Sequence, residues 1–210
     1  MTTFAWGSGL VNPARTRLGF ISNSQGLPSP LSGAIHVAVR AGSLWRYEAT
    51  WQAITGIERG DILGFFTRLN GMEHRVQMPV FPEAKATLGG WATLGSPQIA
   101  LANETGRQIS CTGAPASSSK YVRRGDIFTF DNMIRRATTD ADSDGTGAFT
   151  VNFEPAIRTS PAQFTSINTG ADAEGVWIMT SDVEHPDIDD TANGDVRSDL
   201  TLSFVSDVLA

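Results

Sequence analysis

The stretch "AIHVAVRAGSLWRYEATWQAI" alternates apolar and polar residues twice over. Ile35, Val37 and Val39 alternate with His36, Ala38 and Arg40. After a Gly42 turn, Trp45, Tyr47, Ala49 and Trp51 alternate with Arg46, Glu48 and Thr50. Successive side chains of a strand point to opposite faces, so period two in both runs predicts paired, half-buried strands. The chain has 210 residues, 40% of them hydrophobic, which is enough for a packed core in one large or two small domains. Its 21 Gly and 10 Pro punctuate it every few residues, as many short strands and turns require.

One helix is expected, in "TGIERGDILGFFTRLNG". Thr55 and Glu58 have capping-box spacing, Ile62, Phe66 and Leu69 share a face, and Asn70-Gly71 supplies a left-handed stop. Gly60 and Gly64 each lower helix propensity by about 1 kcal/mol relative to Ala, so burial of the Phe66 face must carry the element. A strand follows, with Met72, His74, Val76 and Met78 alternating with Glu73, Arg75 and Gln77. Residues 1–33, rich in Gly, Pro, Ser and Asn, read as a loosely structured arm with one short strand. "PVFPEAKATLGGWATLGSP" breaks the pattern and reads as a domain boundary.

Beyond it, short strands are expected around Gln98–Leu101, Gln108–Thr112, Asp126–Phe130, Met133–Thr139 and Ala148–Phe153, the spacing of a small Greek-key barrel or sandwich. "NTGADAEG" reads as a return linker, "VWIMTSDV" as a strand, "EHPDIDDTANGD" as an acidic loop and "VRSDLTLSFVSDVL" as a long closing strand. That last strand, with Val196, Leu200, Leu202 and Phe204 on one face, needs a neighbour and is expected to pair with the N-terminal strands. The fold class is therefore all-β, mainly β with one helix. An outer sandwich or split barrel, residues 1–88 plus 176–210, carries an inserted small β-barrel, residues 89–175.

Candidate chemistry is sparse. Asp140, Asp142, Asp144 and Gly145 spell the first half of a calcium loop. Position twelve is Val151, which cannot ligate, Glu154 comes three residues too late, and a β alternation follows where a helix is required. The run reads as a hairpin connection, with weak calcium binding by exposed aspartates left open. Arg124-Gly125-Asp126 reads as a tight turn rather than an adhesion tripeptide. The acidic run Asp182–Asp199, with Asp187 and Asp189, reads as a solvated loop; two of its carboxylates could hydrolyse a glycosidic bond only in a dry cleft. His36, His74 and His185 form no metal-ligand pair, Cys111 reads as a small buried hydrophobe, and no nucleophile elbow, phosphate loop or dinucleotide fingerprint occurs. We expect no enzyme, no catalytic residue, no cofactor and no metal site. Trp45 and Trp51 read as core. Trp91 either seals the domain junction or stacks on a sugar or a partner, and junction packing is the preferred reading.

The net charge of −6 repels phosphate backbones, so sequence-specific nucleic acid is not an expected partner. Lys85 and Lys120 are the only lysines; the preference for Arg leans weakly towards fixed contacts in protein assemblies and is equally what a GC-rich genome produces. A single cysteine forms no internal disulfide. The first residues lack a basic start and an apolar run, and no stretch approaches about 18 unbroken apolar residues, so neither export nor membrane insertion is expected.

The order of short phrases adds a resemblance. "SLWRYEATWQAI", a helix ending "FFTRLNG", "EHRVQMPVF" and a Gly-rich stretch are followed by "RRGDIFTF", an Asp-rich turn ending in Gly, and "FTVNFEPAIR". Gly125-Asp126, Ala141-Asp142, Gly145 and Pro155 to Arg158 carry the second half of this layout. Over about residues 44 to 205 the chain resembles the distal tail proteins of long-tailed (siphovirus-type) bacteriophages. The resemblance implies a homo-oligomeric ring, usually of six copies, joining the tail tube protein to the tail tip or baseplate hub proteins. It implies an outer ring-forming β-sandwich with a helix and an inserted domain like an oligonucleotide/oligosaccharide-binding (OB) or galectin fold. It also implies residence in the virion tail tip after synthesis in the host cytoplasm. The family has no catalytic residues. The alternative is a carbohydrate-binding module in which the inserted domain contacts host surface glycans through Trp91 and Tyr121; a glycosidase using Asp187 and Asp189 ranks last.

Overall fold

The computed structural model describes residues 1–7, 9–28, 35–39, 42–80, 90–92, 94–181 and 198–207. Along the chain run β1 (Thr3–Ala5), β2 (Arg15–Ile21), β3 (Ser24–Pro28), β4 (Ile35–Val39), β5 (Leu44–Ile54), helix α1 (Gly56–Thr67) and β6 (Arg75–Pro79). They are followed by β7 (Gln98–Ile99), β8 (Gly106–Thr112), β9 (Ile127–Phe130), β10 (Met133–Ala137), β11 (Phe149–Ile157), β12 (Asn168–Thr169), β13 (Glu174–Met179) and β14 (Ser198–Ser206). The protein is mainly β with one α-helix, as its alternation and single capping box imply.

The first sheet has the order β1-β6-β13-β14-β5-β2 and is mixed, because β1 runs parallel to β6. The second is antiparallel, in the order β12-β9-β10-β11-β8-β7, and forms a half-barrel. The chain leaves the first sheet at β6, builds the second, and returns at β13. The closing strand β14 lies between β13 and β5, so it pairs with the early strands as its unpartnered alternation requires. Residues 81–89 and 182–197, which include part of the expected boundary and most of the acidic run, lie outside the described residues.

Three expectations are corrected. The described part of residues 1–33 holds three strands where one was expected, since β1, β2 and β3 all fall there. Their apolar positions are too sparse to announce strands alone, and neighbours supply the missing burial. Ile35–Val39 does not pair with the Trp45 run. Each strand has two hydrogen-bonding edges, and those of β5 are taken by β2 and β14. β4 therefore pairs with β3 in a separate two-stranded ribbon, leaving Ile35 and Val37 exposed. The strand expected from Met72 begins only at Arg75, because residues 70–73 form the turn that ends the helix, with Asn70 and Gly71 at positive φ.

Helix α1 begins as its sequence dictates. The Thr55 side chain accepts from the Glu58 N–H, and the Glu58 carboxylate accepts from the Thr55 N–H, so both members of the box are satisfied. Ile62, Leu63 and Phe66 are buried against the inner face of the first sheet, with Leu69 just beyond the helix. Phe66 lies 5.8 Å from Trp51 and 5.5 Å from Phe204, so it ties the helix to β5 and β14 together. Such ring pairs add about 0.5–1.5 kcal/mol each beyond their burial, enough to offset the two interior glycines. A buried ion pair, Arg75 to Asp207 at 2.5 Å, fastens the end of the chain to β6.

The second core gathers Trp91, Phe128, Phe149, Val151 and Phe153 beneath the half-barrel. Pro155 sits where β11 slips against β8: Asn152 faces Gln108, but Ile157 faces Gly106. Proline cannot donate to a ladder, so the slip falls there. The two sheets meet along β10 and β13. Ile127 and Ile134 enter the first core, the Trp45 indole N–H donates to the Ile134 carbonyl at 2.9 Å, and the Val176 N–H donates to the Asn132 carbonyl at 2.9 Å. A Cβ on Gly175 would stand 2.6 Å from Ile134 Cγ1, so only glycine lets β10 approach β13 this closely.

Gly175→Ala is therefore expected to cost about 1–3 kcal/mol by overpacking. Ile134→Ala should cost about 2–5 kcal/mol by leaving a cavity. The double variant should cost clearly less than the sum, because each change relieves the other. Urea unfolding of the four proteins measures this coupling, and simple additivity would contradict the contact.

Candidate assembly surface

Inner and outer faces of the first sheet differ sharply. Trp45, Tyr47, Ala49 and Trp51 of β5 point inward and are buried. Outward, Arg17 pairs across to Glu48, Glu48 to Ser203, and Thr50 to Thr201, whose hydroxyls are 3.0 Å apart. This polar face carries an open cleft of about 320 Å³ beside Arg17, Ile21, Arg46 and Glu48. At the rim, β2 is the last strand of the sheet, with one ladder edge unfilled among the described residues. Phe20 and Ile21, at its end, are 42% and 43% exposed, which is high for large apolar side chains beside a free edge.

The ribbon β3–β4 prolongs this edge. β2 pairs with β5 up to Ile21 and Leu44, and β3 pairs with β4 from Ser24 and Val39 onward. Neither ribbon strand joins a six-stranded sheet. Ile35 and Val37, two residues apart and so on one face, are 68% and 63% exposed. A free strand edge and an exposed apolar ribbon in succession leave backbone groups and hydrophobic surface uncovered among the described residues. The alternation of Ile35, Val37 and Val39 was visible in the sequence; that Ile35 and Val37 face outward was not.

The residues singled out as possible chemistry serve the protein's own backbone. Asp140 accepts from the Arg124 N–H at 2.8 Å and Asp142 from the Lys120 N–H at 2.6 Å. Asp144 accepts from the Thr146 N–H and hydroxyl and from the Ala148 N–H. The three carboxylates thus hold separate backbone segments instead of converging on one point. Among the described residues no group of three or more His, Cys, Asp or Glu could hold a metal ion. In Arg124-Gly125-Asp126, Gly125 has φ +100° and Asp126 is 1% exposed, its carboxylate accepting from the Arg123 N–H at 2.9 Å. A buried aspartate is not available to a receptor. Cys111 is buried, and its desolvation pushes the thiol well above its ordinary pKa, with Glu104 adding to the effect. His74 accepts from the Thr2 N–H at 3.4 Å and meets Phe4 edge to face. The His36 side chain, His185, Asp187 and Asp189 lie outside what is described.

Trp91 is not at the junction between the sheets. It is 1% exposed and lies 4.9 Å from Phe128 in the second core, because the short 3-10 turn Gly90–Ala92 hangs from the Tyr121 carbonyl. Tyr121 is also fully buried, donates its hydroxyl to the Leu94 carbonyl at 2.6 Å, and has its pKa pushed up to about 12 by burial. Neither ring can serve as a stacking platform for a sugar. Trp45 fills the junction instead.

The residues of the short phrases noted in the sequence are likewise structural. Asp126 and Asp142 cap backbone amides, Ala141 bridges to Val122, Pro155 marks the slip in β11, and Arg158 donates to the Ser43 carbonyl at 2.8 Å, next to the start of β5. No protein-family model matches the chain, and no curated protein matches it. Among the described residues no helix is long and apolar enough to cross a membrane.

Trp91→Ala is expected to lower stability by about 3–5 kcal/mol, as for other buried aromatic truncations. Thermal unfolding measures it, and an unchanged melting temperature would contradict the packing. The Thr146 hydroxyl, followed by the Ala148 and Thr146 amides, holds the Asp144 carboxyl below its usual pKa, and the Arg124 amide does the same for Asp140. A lowered folded pKa contributes stability above the unfolded value that is lost as pH falls through the folded one. Acid weakening of this loop is therefore expected below about pH 4, not near neutrality. Asp144→Asn should flatten that part of the stability–pH curve, followed by circular dichroism.

Proposed function

We propose that this protein is a virion tail structural protein: a distal tail protein that assembles, in the usual six copies, into a ring between the tail tube and the tail tip or baseplate. The observation that carries the reading is the free β2 edge prolonged by the apolar β3–β4 ribbon, which gives the chain a surface for a neighbour. A ring needs head-to-tail contacts that close by rotation, so each copy must present two different surfaces. The β2 edge with its ribbon is one; the far side of the first sheet, at β1 and β6, is available as the other.

The layout supports the same reading. A sheet built from both ends of the chain, interrupted mid-chain by a second sheet, fits a ring-forming body of residues 1–88 plus 176–210 bearing an OB-like insert of residues 89–175. The shared junction through Trp45, Ile134 and Gly175 holds the insert in a defined orientation, which an adaptor between other proteins needs. A net charge of −6 suits a wall past which DNA must slide. The partners would be other copies of the chain, the tail tube protein and the tip or baseplate hub. The site would be the virion tail tip, after synthesis in the host cytoplasm. No catalytic residue, cofactor or metal is required. The glycan-binding alternative rested on Trp91 and Tyr121, and both are interior.

Negative-stain electron microscopy with light scattering tests the reading. The wild-type chain is expected to form closed rings. Ile35→Asp with Val37→Asp should give monomers whose melting temperature is nearly unchanged, since exposed positions contribute within about 0.5 kcal/mol of zero. A wild-type chain that stays monomeric at every concentration, or rings indifferent to both aspartates, would overturn it.

A further inference from the structure

The two strands that open the chain lie at opposite edges of one sheet. β2 ends the order on one side and β1 on the other. Five strand spacings of about 4.8 Å separate them, roughly 24 Å. The link between them, residues 6–14, reaches about 30 Å when extended, so it spans its own sheet with little slack. Its described anchor points are the Trp6 N–H, which donates to the Gln77 carbonyl, the Val11 carbonyl, which accepts from the Trp51 indole, and the Ala14 N–H, which donates to the Thr50 carbonyl. A gap of about 600 Å³ stands open between Gly7, Gly9 and Leu10 on one side and Gly60, Gly64 and Phe65 on the other. A Cβ at Gly9, Gly60 or Gly64 would meet no atom within 4 Å among the described residues.

β1 itself is three residues long and pairs in parallel with β6, Thr3 to Arg75 and Ala5 to Gln77. Two side chains add to the backbone ladder that holds it. Phe4 meets His74 edge to face and carries Arg68 over its ring at 4.6 Å, and Trp6 packs among Trp51, Phe65 and Phe66 at 5.5–5.9 Å. The slot that receives them belongs to β5, β6 and α1, and so exists equally on every copy.

We propose that residues 1–6 are an exchangeable arm: in the assembled state, β1 of one copy pairs with β6 of the next, and its Trp6 fills that copy's Trp51–Phe65–Phe66 slot. This deepens the assembly reading and rests on it. In a head-to-tail array, the β2 edge of one copy faces the β6 edge of its neighbour. The arm is joined to β2, so the neighbour's slot lies nearer to its root than its own slot, which is a whole sheet away. Exchange uses the same hydrogen bonds and ring contacts as the closed form, so the two differ chiefly in the strain of the crossing link. The occupant is a second copy of this chain.

The test uses the full chain and the register of β1 with β6. Ala5→Cys and Gln77→Cys combined in one chain should close an intrachain disulfide in dilute monomer, which checks the geometry. Chains carrying Ala5→Cys alone are then mixed with chains carrying Gln77→Cys alone, assembled and oxidised. Exchange predicts covalent dimers in the ring fraction on a non-reducing gel, lost on reduction and absent from the monomer fraction. Rings whose mixed chains stay unlinked would overturn exchange while leaving the ring standing. A mixture that forms no rings would overturn the assembly reading and the exchange with it.

Discussion

Both hydrogen-bonding edges of β5 are occupied, by β2 on one side and by β14 on the other. Most of the architecture follows from that. With β2 and β14 in place, β4 has no edge of β5 left and must find β3. The closing strand, brought in from the far end of the chain, forces everything between β6 and β13 to be built outside the first sheet. The register also fixes which face of β5 is dry, and three aromatic rings, Trp45, Tyr47 and Trp51, are buried together as a result. The helix docks on that face through Phe66, and the second sheet docks through Ile134.

The polar residues that first invite a chemical reading turn out to be spent on backbone. Irregular loops leave amide donors that must be satisfied somewhere, and short side chains with two oxygens do this at little steric cost. Asp140, Asp142, Asp144 and Asp126 each take this role in the second sheet's turns. Arg135 is an interior counterpart. Its guanidinium lies 3.5 Å from the Phe130 ring centre and donates to the Phe130 and Met133 carbonyls, while burial pushes its pKa down to about 9, partly offset by Asp131. At neutral pH it remains a cation held by rings and carbonyls. Among the exposed apolar side chains, Phe20, Ile21, Ile35 and Val37 lie along one edge and its extension, while Ile57, Met72, Leu101 and Phe164 are scattered elsewhere.

Local pattern was enough for the elements whose information is local. The Thr55–Glu58 box, the Ile62–Phe66–Leu69 face and the Asn70-Gly71 stop needed only neighbours within one or two turns, and all are present. The strands of the half-barrel likewise lie close to where their alternation put them, since turn residues such as Gly125 and Gly147 mark their ends. Residues 1–33 were misjudged because β1 and β2 owe their burial to β6 and β5, which are remote in sequence. Trp91 was misplaced for a related reason: a ring beside glycines can turn to either of two cores, and only the packing of Phe128 and Phe149 decides.

The sequence by itself determined the secondary-structure class, the helix with both its ends, the inward set of β5 aromatics, and the need of the last strand for an early partner. These follow from periodicity and capping, which act over a few residues. Only the tertiary structure decided that β4 is excluded from the main sheet, that Ile35 and Val37 face outward, and that the opening strand crosses to the far edge. Those outcomes depend on competition for strand edges, and a period-two pattern states which face of a strand is apolar without stating which neighbour will cover it.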